Sequence, residues 1–234
     1  ISSGGKLVEP MGEASYDEIY ASYVEQIIGL EEGGADLLII ETMTDVQEAK
    51  IALNAAKAHS KLPVLCSISF EENGSTISGS SVTSGLATLA AHGADIVGAN
   101  CGLGPVQMIS IFKKHISELK SLGVPLSVWS NAGLPQYVDG RTVFPLGPDA
   151  FGDAAREFAD LGFGVIGGCC GTTPDHIRAL ADRLSKGTYG PVSYKKMYRF
   201  ATSRFIATDL DAKRDGVIAI GERLNPTARK KFAE

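Results

Sequence analysis

The sequence predicts an α/β protein of the (βα)8 TIM-barrel type, with fewer strand-helix units than a closed barrel holds. Three observations predict it. Short continuous apolar runs, of the kind buried in parallel sheets, return about every 30 residues, roughly the length of one strand-helix unit. Stretches with helical spacing lie between them. Three runs are entered through similar phrases, Gly34-Ala35-Asp36, Gly93-Ala94-Asp95 and Gly162-Phe163-Gly164. A doubly wound open sheet gives the same cadence at this level.

Each element has its own signal. Ser15 with Glu18 forms a capping-box signature, and Ile19, Tyr23, Ile27 and Leu30 follow at helical spacing up to Gly33-Gly34. Residues 35–40 form the first apolar run. Thr44 with Gln47 is expected to open a second helix running to about His59, and residues 63–68 form the next strand. Further strands are expected at 94–98, 125–129 and 163–167, with helical stretches around 106–122 and 150–161 between them. Thr173 as N-cap and Pro174 at the first helical position start a closing helix that reaches Leu184. That amounts to about five units where a barrel takes eight.

Beyond Gly187 the pattern lapses. Residues 189–215 read as a linker or weakly structured excursion. Residues 217–221 read as one more strand, so 216–234 are expected to open a second domain, with 1–188 as a partial barrel. The first residue is Ile1, followed by the polar turn Ser2-Ser3-Gly4-Gly5, which reads as the start of a fragment or processed chain.

Composition narrows the function classes. The 234 residues are 44% hydrophobic and 21% charged, with a formal net charge of -5, the profile of a soluble globular chain. That balance gives no electrostatic reason to bind nucleic acid, and no apolar run approaches the roughly 18 to 20 residues of a membrane span. With no signal segment at its start, the chain is expected to be cytoplasmic. Its four cysteines, Cys66, Cys101, Cys169 and Cys170, are too few for a disulfide scaffold, and in a reducing compartment they point to metal binding or catalysis.

Cys101, in Gly98-Ala99-Asn100-Cys101-Gly102, lies just past the end of its strand. So do Cys169 and Cys170, in Gly167-Gly168-Cys169-Cys170-Gly171-Thr172. In a parallel barrel such positions gather on the face where active sites are built. Adjacent residues of a regular strand point to opposite sides, so both paired cysteines can reach one metal only if the backbone leaves the strand conformation, a freedom the flanking glycines supply. Three thiolates leave the fourth tetrahedral position of zinc open, the arrangement of a catalytic site, and a thiol bound there is deprotonated. A packing or redox role is the plainer alternative for the paired cysteines. Cys66, inside an apolar strand, reads as a small hydrophobe.

The two cysteine phrases resemble the zinc-ligand motifs of the homocysteine S-methyltransferase family. The similarity extends from Gly5-Lys6-Leu7 through Ile40-Glu41-Thr42-Met43 and Ser130-Asn131-Ala132-Gly133 to about Leu184. Residues 220–227, Ile220-Gly221-Glu222-Arg223-Leu224-Asn225-Pro226-Thr227, resemble the opening strand of a methyltetrahydrofolate-binding domain, with Glu222 and Asn225 as hints of a pterin site. The chain is therefore most similar to the homocysteine-binding module of the cobalamin-dependent, methionine-forming members. The resemblance implies zinc bound by Cys101, Cys169 and Cys170, homocysteine as the thiol, Glu41 receiving the substrate ammonium and Asn131 bordering the open position. It also implies corrinoid- and folate-binding domains elsewhere in the same polypeptide as partners, with cobalamin and methyltetrahydrofolate bound there.

Family members begin with strands carrying an Asp-Gly-Ala-Met-Gly type loop that this sequence lacks, so the first three strand-helix units are expected to be missing. Two alternatives stay open: a betaine- or S-methylmethionine-dependent methyltransferase, and a fragment that holds zinc without turnover. His176 lies near the paired cysteines but in the first turn of a helix, and neither the motif nor an open site needs it as a ligand. His59, His92 and His115 fall in helices or at their ends, and Asp36 and Asp95 belong to the opposite end of the barrel as stability residues.

Overall fold

The computed structural model describes residues 1–187 and 200–209. The chain alternates as expected. Helix α1 (Tyr16–Glu32) leads to strand β1 (Leu38–Met43), α2 (Val46–His59), β2 (Val64–Ile68), α3 (Val82–Ala91), β3 (Ile96–Asn100), α4 (Pro105–Lys120) and β4 (Leu126–Ser130). After a small hairpin, β5 (Gln136–Val138) and β6 (Arg141–Val143), come α5 (Pro148–Leu161), β7 (Val165–Gly168) and α6 (Pro174–Ser185).

The Ser15–Glu18 capping box is present, with Ser15 N and Glu18 Oε2 2.9 Å apart. Asp45, rather than Thr44, caps α2: its Oδ1 accepts the Gln47 N–H at 3.2 Å, the reach a short carboxylate needs at that position. The first strand also starts later than its apolar run, because Ala35 N–H is still bonded back to Leu30 O in the turn that ends α1. That shift carries Glu41 and Thr42 into β1.

The five strands form one parallel sheet in the order β1-β2-β3-β4-β7. This monotonic order separates the two architectures the sequence left open. A doubly wound sheet reverses its strand order at a switch point, whereas right-handed crossovers that all step the same way place every helix on one face, as in a barrel wall. The sheet is also curled. Cα atoms of β1 and β3, second neighbours, come within 8 Å, where two flat strand spacings give about 9.6 Å. Ile1 and Ser2 lie along the outer edge of β1, with Glu41 N–H donating to Ile1 O at 2.8 Å.

The main core fills the helix-facing side, where Ile40, Cys66, Val97, Leu126 and Val128 of the strands meet Leu53, Leu86, Leu89 and Phe112 of the helices. Cys66 is fully buried there, and burial pushes its thiol up, as befits a small hydrophobe. The other face of the sheet is smaller and more polar, with Ser67, Gly98, Asn100 and Ser127 alternating with those core residues.

Residues 200–209 lie within the expected linker and have local structure of their own. They form an antiparallel hairpin of β8 (Phe200–Thr202) and β9 (Ala207–Asp209) docked on α3. Ser81 N–H donates to Arg204 O at 2.9 Å and Ser81 Oγ to Phe205 O at 3.0 Å, while the Ser84 hydroxyl donates to Ser203 O. The rest of the 189–215 linker and the strand expected at 217–221, with Glu222 and Asn225, lie outside the described residues.

Candidate metal centre

The three cysteines converge at the C-terminal ends of β3 and β7. Their sulfurs all lie within 4.8 Å of one another, and Cys101 Sγ and Cys170 Sγ are 3.6 Å apart. No disulfide joins them, which at about 2.05 Å is far shorter. Sulfurs around a tetrahedral zinc with bonds of about 2.3 Å sit about 3.8 Å apart, so the Cys101–Cys170 pair is near ligand spacing. The donor set fits the ion.

The backbone leaves the strand conformation where the sequence required it. Cys101 has a φ of 59° and the following Gly102 a φ of 71°, which turns the chain back so that Leu103 N–H bonds to Cys101 O at 2.7 Å. Gly171, with a φ of 77°, lies against Phe144, whose side chain occupies the space a Cβ would need. Thr172 donates through both its N–H, at 3.2 Å, and its hydroxyl, at 2.7 Å, to Cys169 O. Between these loops β4 acts as a spacer: Trp129 O accepts Cys101 N–H at 3.1 Å, and Ser130 O accepts Cys169 N–H at 2.8 Å.

The sulfurs share charge unevenly. The Cys169 thiol bonds to Cys101 Sγ and, with the Gly102 N–H, the Cys170 thiol and the Asn131 side chain, outweighs burial and holds the Cys101 thiol down to about 5. Cys169 is pushed up by that same bond and by burial, and Cys170 by burial and by Cys101. Without a cation the cluster thus favours one thiolate. A dication is what allows all three to ionise together.

Asn131 is at the cluster. It is buried, and its Oδ1 accepts the Cys170 N–H at 3.1 Å. Glu41 lies on β1, two strands from the Cys101 end of β3, where its Oε2 accepts the Trp129 indole N–H at 3.1 Å. His176 is not near a ligand role: Nδ1 is 2.8 Å from Thr173 Oγ1 at the start of α6 and Nε2 2.8 Å from Leu146 O in the loop ahead of α5, so both ring nitrogens are engaged away from the cysteines.

Two residues carry the site without an obvious signal in the sequence. Asn100 is fully buried beside Cys101; its Oδ1 accepts Thr42 N–H at 2.8 Å and Ser67 Oγ–H at 2.6 Å, its Nδ2 donates to Thr42 Oγ1 at 2.7 Å, and the same nitrogen lies 4.0 Å from Cys169 Sγ. These bonds hold Thr42, whose φ of 57° is otherwise unfavourable, next to Glu41. Trp129 is the second. In the sequence it was only the last residue of the strand expected at 125–129.

A singly wound parallel sheet with a three-thiol cluster at the C-terminal ends of its strands defines an α/β protein whose grouped thiols could hold a metal ion. The model of the homocysteine S-methyltransferase family matches residues 1–184, and the chain belongs to that family of methyltransferases. It is 33% identical to the methionine synthases of Mycobacterium leprae (strain TN) and Mycobacterium tuberculosis (strain ATCC 25618 / H37Rv), over 98% of this chain in each case. It spans about a fifth of the length of these curated relatives, 20% and 19% respectively. The homocysteine methyltransferase MmuM from Escherichia coli shares the fold. Its apo form superposes with a TM-score of 0.61 over 78% of this chain and 61% of its own at 22% identity, and its metallated form with 0.59 over 73% and 53%.

Proposed function

We propose that this chain holds homocysteine as a zinc-activated thiolate for methyl transfer, giving methionine, as the homocysteine-binding part of a cobalamin-dependent methionine synthase. The observation that carries the reading is the convergence of Cys101, Cys169 and Cys170 at metal-ligand spacing on one end of the sheet. Zinc bound by these residues supplies a Lewis acid that lowers the pKa of a ligated thiol. The membership in the family and the names of the mycobacterial relatives support homocysteine and methionine as substrate and product. The metallated form of the Escherichia coli homocysteine methyltransferase supports a metal in such a site.

The remaining roles belong to the chain's own side chains. Asn131 fixes the Cys169-Cys170 turn through the Cys170 N–H and borders the position the substrate sulfur takes. Glu41 pairs the ammonium group that a free amino acid carries into a partly desolvated site, where an unpaired charge is costly. Asn100 ties the Glu41 and Cys169 sides together.

The curled, singly wound sheet is part of an eight-stranded barrel whose other strands, like the cobalamin and methyltetrahydrofolate sites, belong to a longer cytoplasmic polypeptide. Among the described residues no helix is long and apolar enough to cross a membrane. The phrase at residues 220–227, which resembles the opening strand of a methyltetrahydrofolate-binding domain, favours a folate-linked methyl donor over betaine or S-methylmethionine. Purified under reducing conditions, the chain is expected to bind about one zinc ion and to release about one proton when homocysteine is added near neutral pH. Cys101→Ala is expected to lose both. A wild-type chain that takes up no zinc contradicts the proposal.

A further inference from the structure

We infer that Trp129 is a positioning residue that joins the two halves of the site, its indole N–H aiming Glu41 at the ammonium group of an α-amino thiol. The inference rests on the function proposed above and names the group that sets its selectivity.

Trp129 is buried, yet it belongs to neither hydrophobic cluster of the described residues. A large aromatic side chain placed outside the cores calls for another reason than packing. It stands on the polar face of the sheet, paired with Asn100 on one side and Gly167 on the other. Gly167 offers no side chain beside it.

Its contacts run both ways. The indole N–H donates to Glu41 Oε2 at 3.1 Å, and among the described residues no donor is bonded to the other carboxylate oxygen. One oxygen is held and one is left for a cation. From the same residue, the backbone carbonyl accepts the Cys101 N–H at 3.1 Å, and the next carbonyl, Ser130 O, accepts that of Cys169 at 2.8 Å. The end of β4 therefore spaces the carboxylate from the thiols. Such a spacer matters for a ligand with an ammonium at one end and a thiol at the other, and is indifferent to a thiol that lacks the ammonium.

The chain contains one tryptophan, so ¹⁵N-labelling gives a single indole cross-peak. In the metal-free chain this peak is expected to move when Glu41→Gln replaces the carboxylate. An unmoved peak overturns the inference without reference to zinc or activity. On the zinc-loaded chain, calorimetry compares homocysteine with 4-mercaptobutanoate, the same thiol acid without its amino group. Trp129→Phe keeps the ring and the Cys101 backbone bond but removes the donor. It is expected to leave the zinc content unchanged, weaken homocysteine about tenfold, the worth of one bond to a charged group, and leave 4-mercaptobutanoate unaffected. Equal weakening of both thiols reduces Trp129 to a packing role and overturns the inference, and a variant that fails to fold leaves the decision to the cross-peak. A wild-type chain that loads zinc but binds neither thiol overturns the proposed function itself, a result distinct from any of these.

Discussion

Asn100 and Gly98, two residues apart on the polar face of β3, show how little tolerance this site leaves. Asn100 satisfies a backbone N–H and two hydroxyls contributed by β1 and β2. Removing it strands the Thr42 N–H and the Ser67 hydroxyl in a buried setting, where each unpaired group costs about 1–3 kcal/mol. Asn100→Ala is therefore expected to lower stability by about 2–4 kcal/mol in urea titration, and a loss under about 1 kcal/mol contradicts the account. Gly98 faces the partner strand directly. A Cβ there sits 1.9 Å from Ser127 O and 2.1 Å from its hydroxyl, so Gly98→Ala forces the β3–β4 pair apart. At Gly167, by contrast, a Cβ meets Trp129 Cβ at an ordinary 3.5 Å. The pair gives a sharp comparison: Gly98→Ala costs about 3 kcal/mol or abolishes soluble expression, and Gly167→Ala changes stability by less than about 1 kcal/mol.

At the scale of elements, the N-terminal ends of the strands are clamped electrostatically. Asp95 Oδ2 accepts both the Lys57 ammonium at 2.9 Å and the Val64 N–H at 2.8 Å, tying α2, β2 and the entry to β3 together. Although burial works against its charge, these bonds hold the Asp95 carboxyl below the usual carboxylate range. A carboxyl lowered in the folded state adds stability above its unfolded pKa of about 3.9 and loses it as pH falls through the folded value. Asp95→Asn should accordingly melt earlier than wild type at pH 7, with the difference closing once the pH has fallen through the lowered Asp95 pKa; a gap that persists in stronger acid points to something other than ionisation. The β8–β9 hairpin rests instead on a row of hydroxyls, Ser81, Ser84 and Thr88, along α3. Replacing Ser84 with Val is expected to speed limited proteolysis at residues 203–206 several-fold while leaving the urea transition of the sheet in place. The strands and longer helices were legible because each carries an apolar run or a cap, and the thiol cluster because each cysteine follows a strand inside a glycine phrase. The hairpins were not. β5, β6, β8 and β9 are three residues each, too short for periodicity to show. The Trp129–Glu41 bond spans 88 residues of sequence, and only the curl of the sheet brings the two together.

At the scale of the whole molecule, the two faces of the sheet impose different requirements. The helix-facing side is a finished core, with Leu53, Leu86 and Val128 fully buried. The opposite face carries Ser67, Asn100, Ser127 and Glu41, and Ile39 on it remains 38% exposed. Ser127 Oγ is buried there with no partner, an arrangement that costs stability until another group or a water reaches it. On its outer edge, among the described residues, β1 meets only Ile1 and Ser2, while β7 lies half-buried at the far side of the sheet. A polar face, an unpaired hydroxyl and two edges among the described residues are features that the proposed closure into an eight-stranded barrel would resolve together, because closure supplies inward side chains and abolishes edges at once. A form of the protein carrying three further strand-helix units ahead of Ile1 is therefore expected to melt about 10 °C higher than this chain. It should also show a steeper urea dependence, since more surface is exposed when a closed barrel unfolds. In sedimentation it should run as a monomer at concentrations where the shorter chain is expected to associate through its edges. An extended form with the same melting temperature and the same tendency to associate shows that the added units do not complete this sheet.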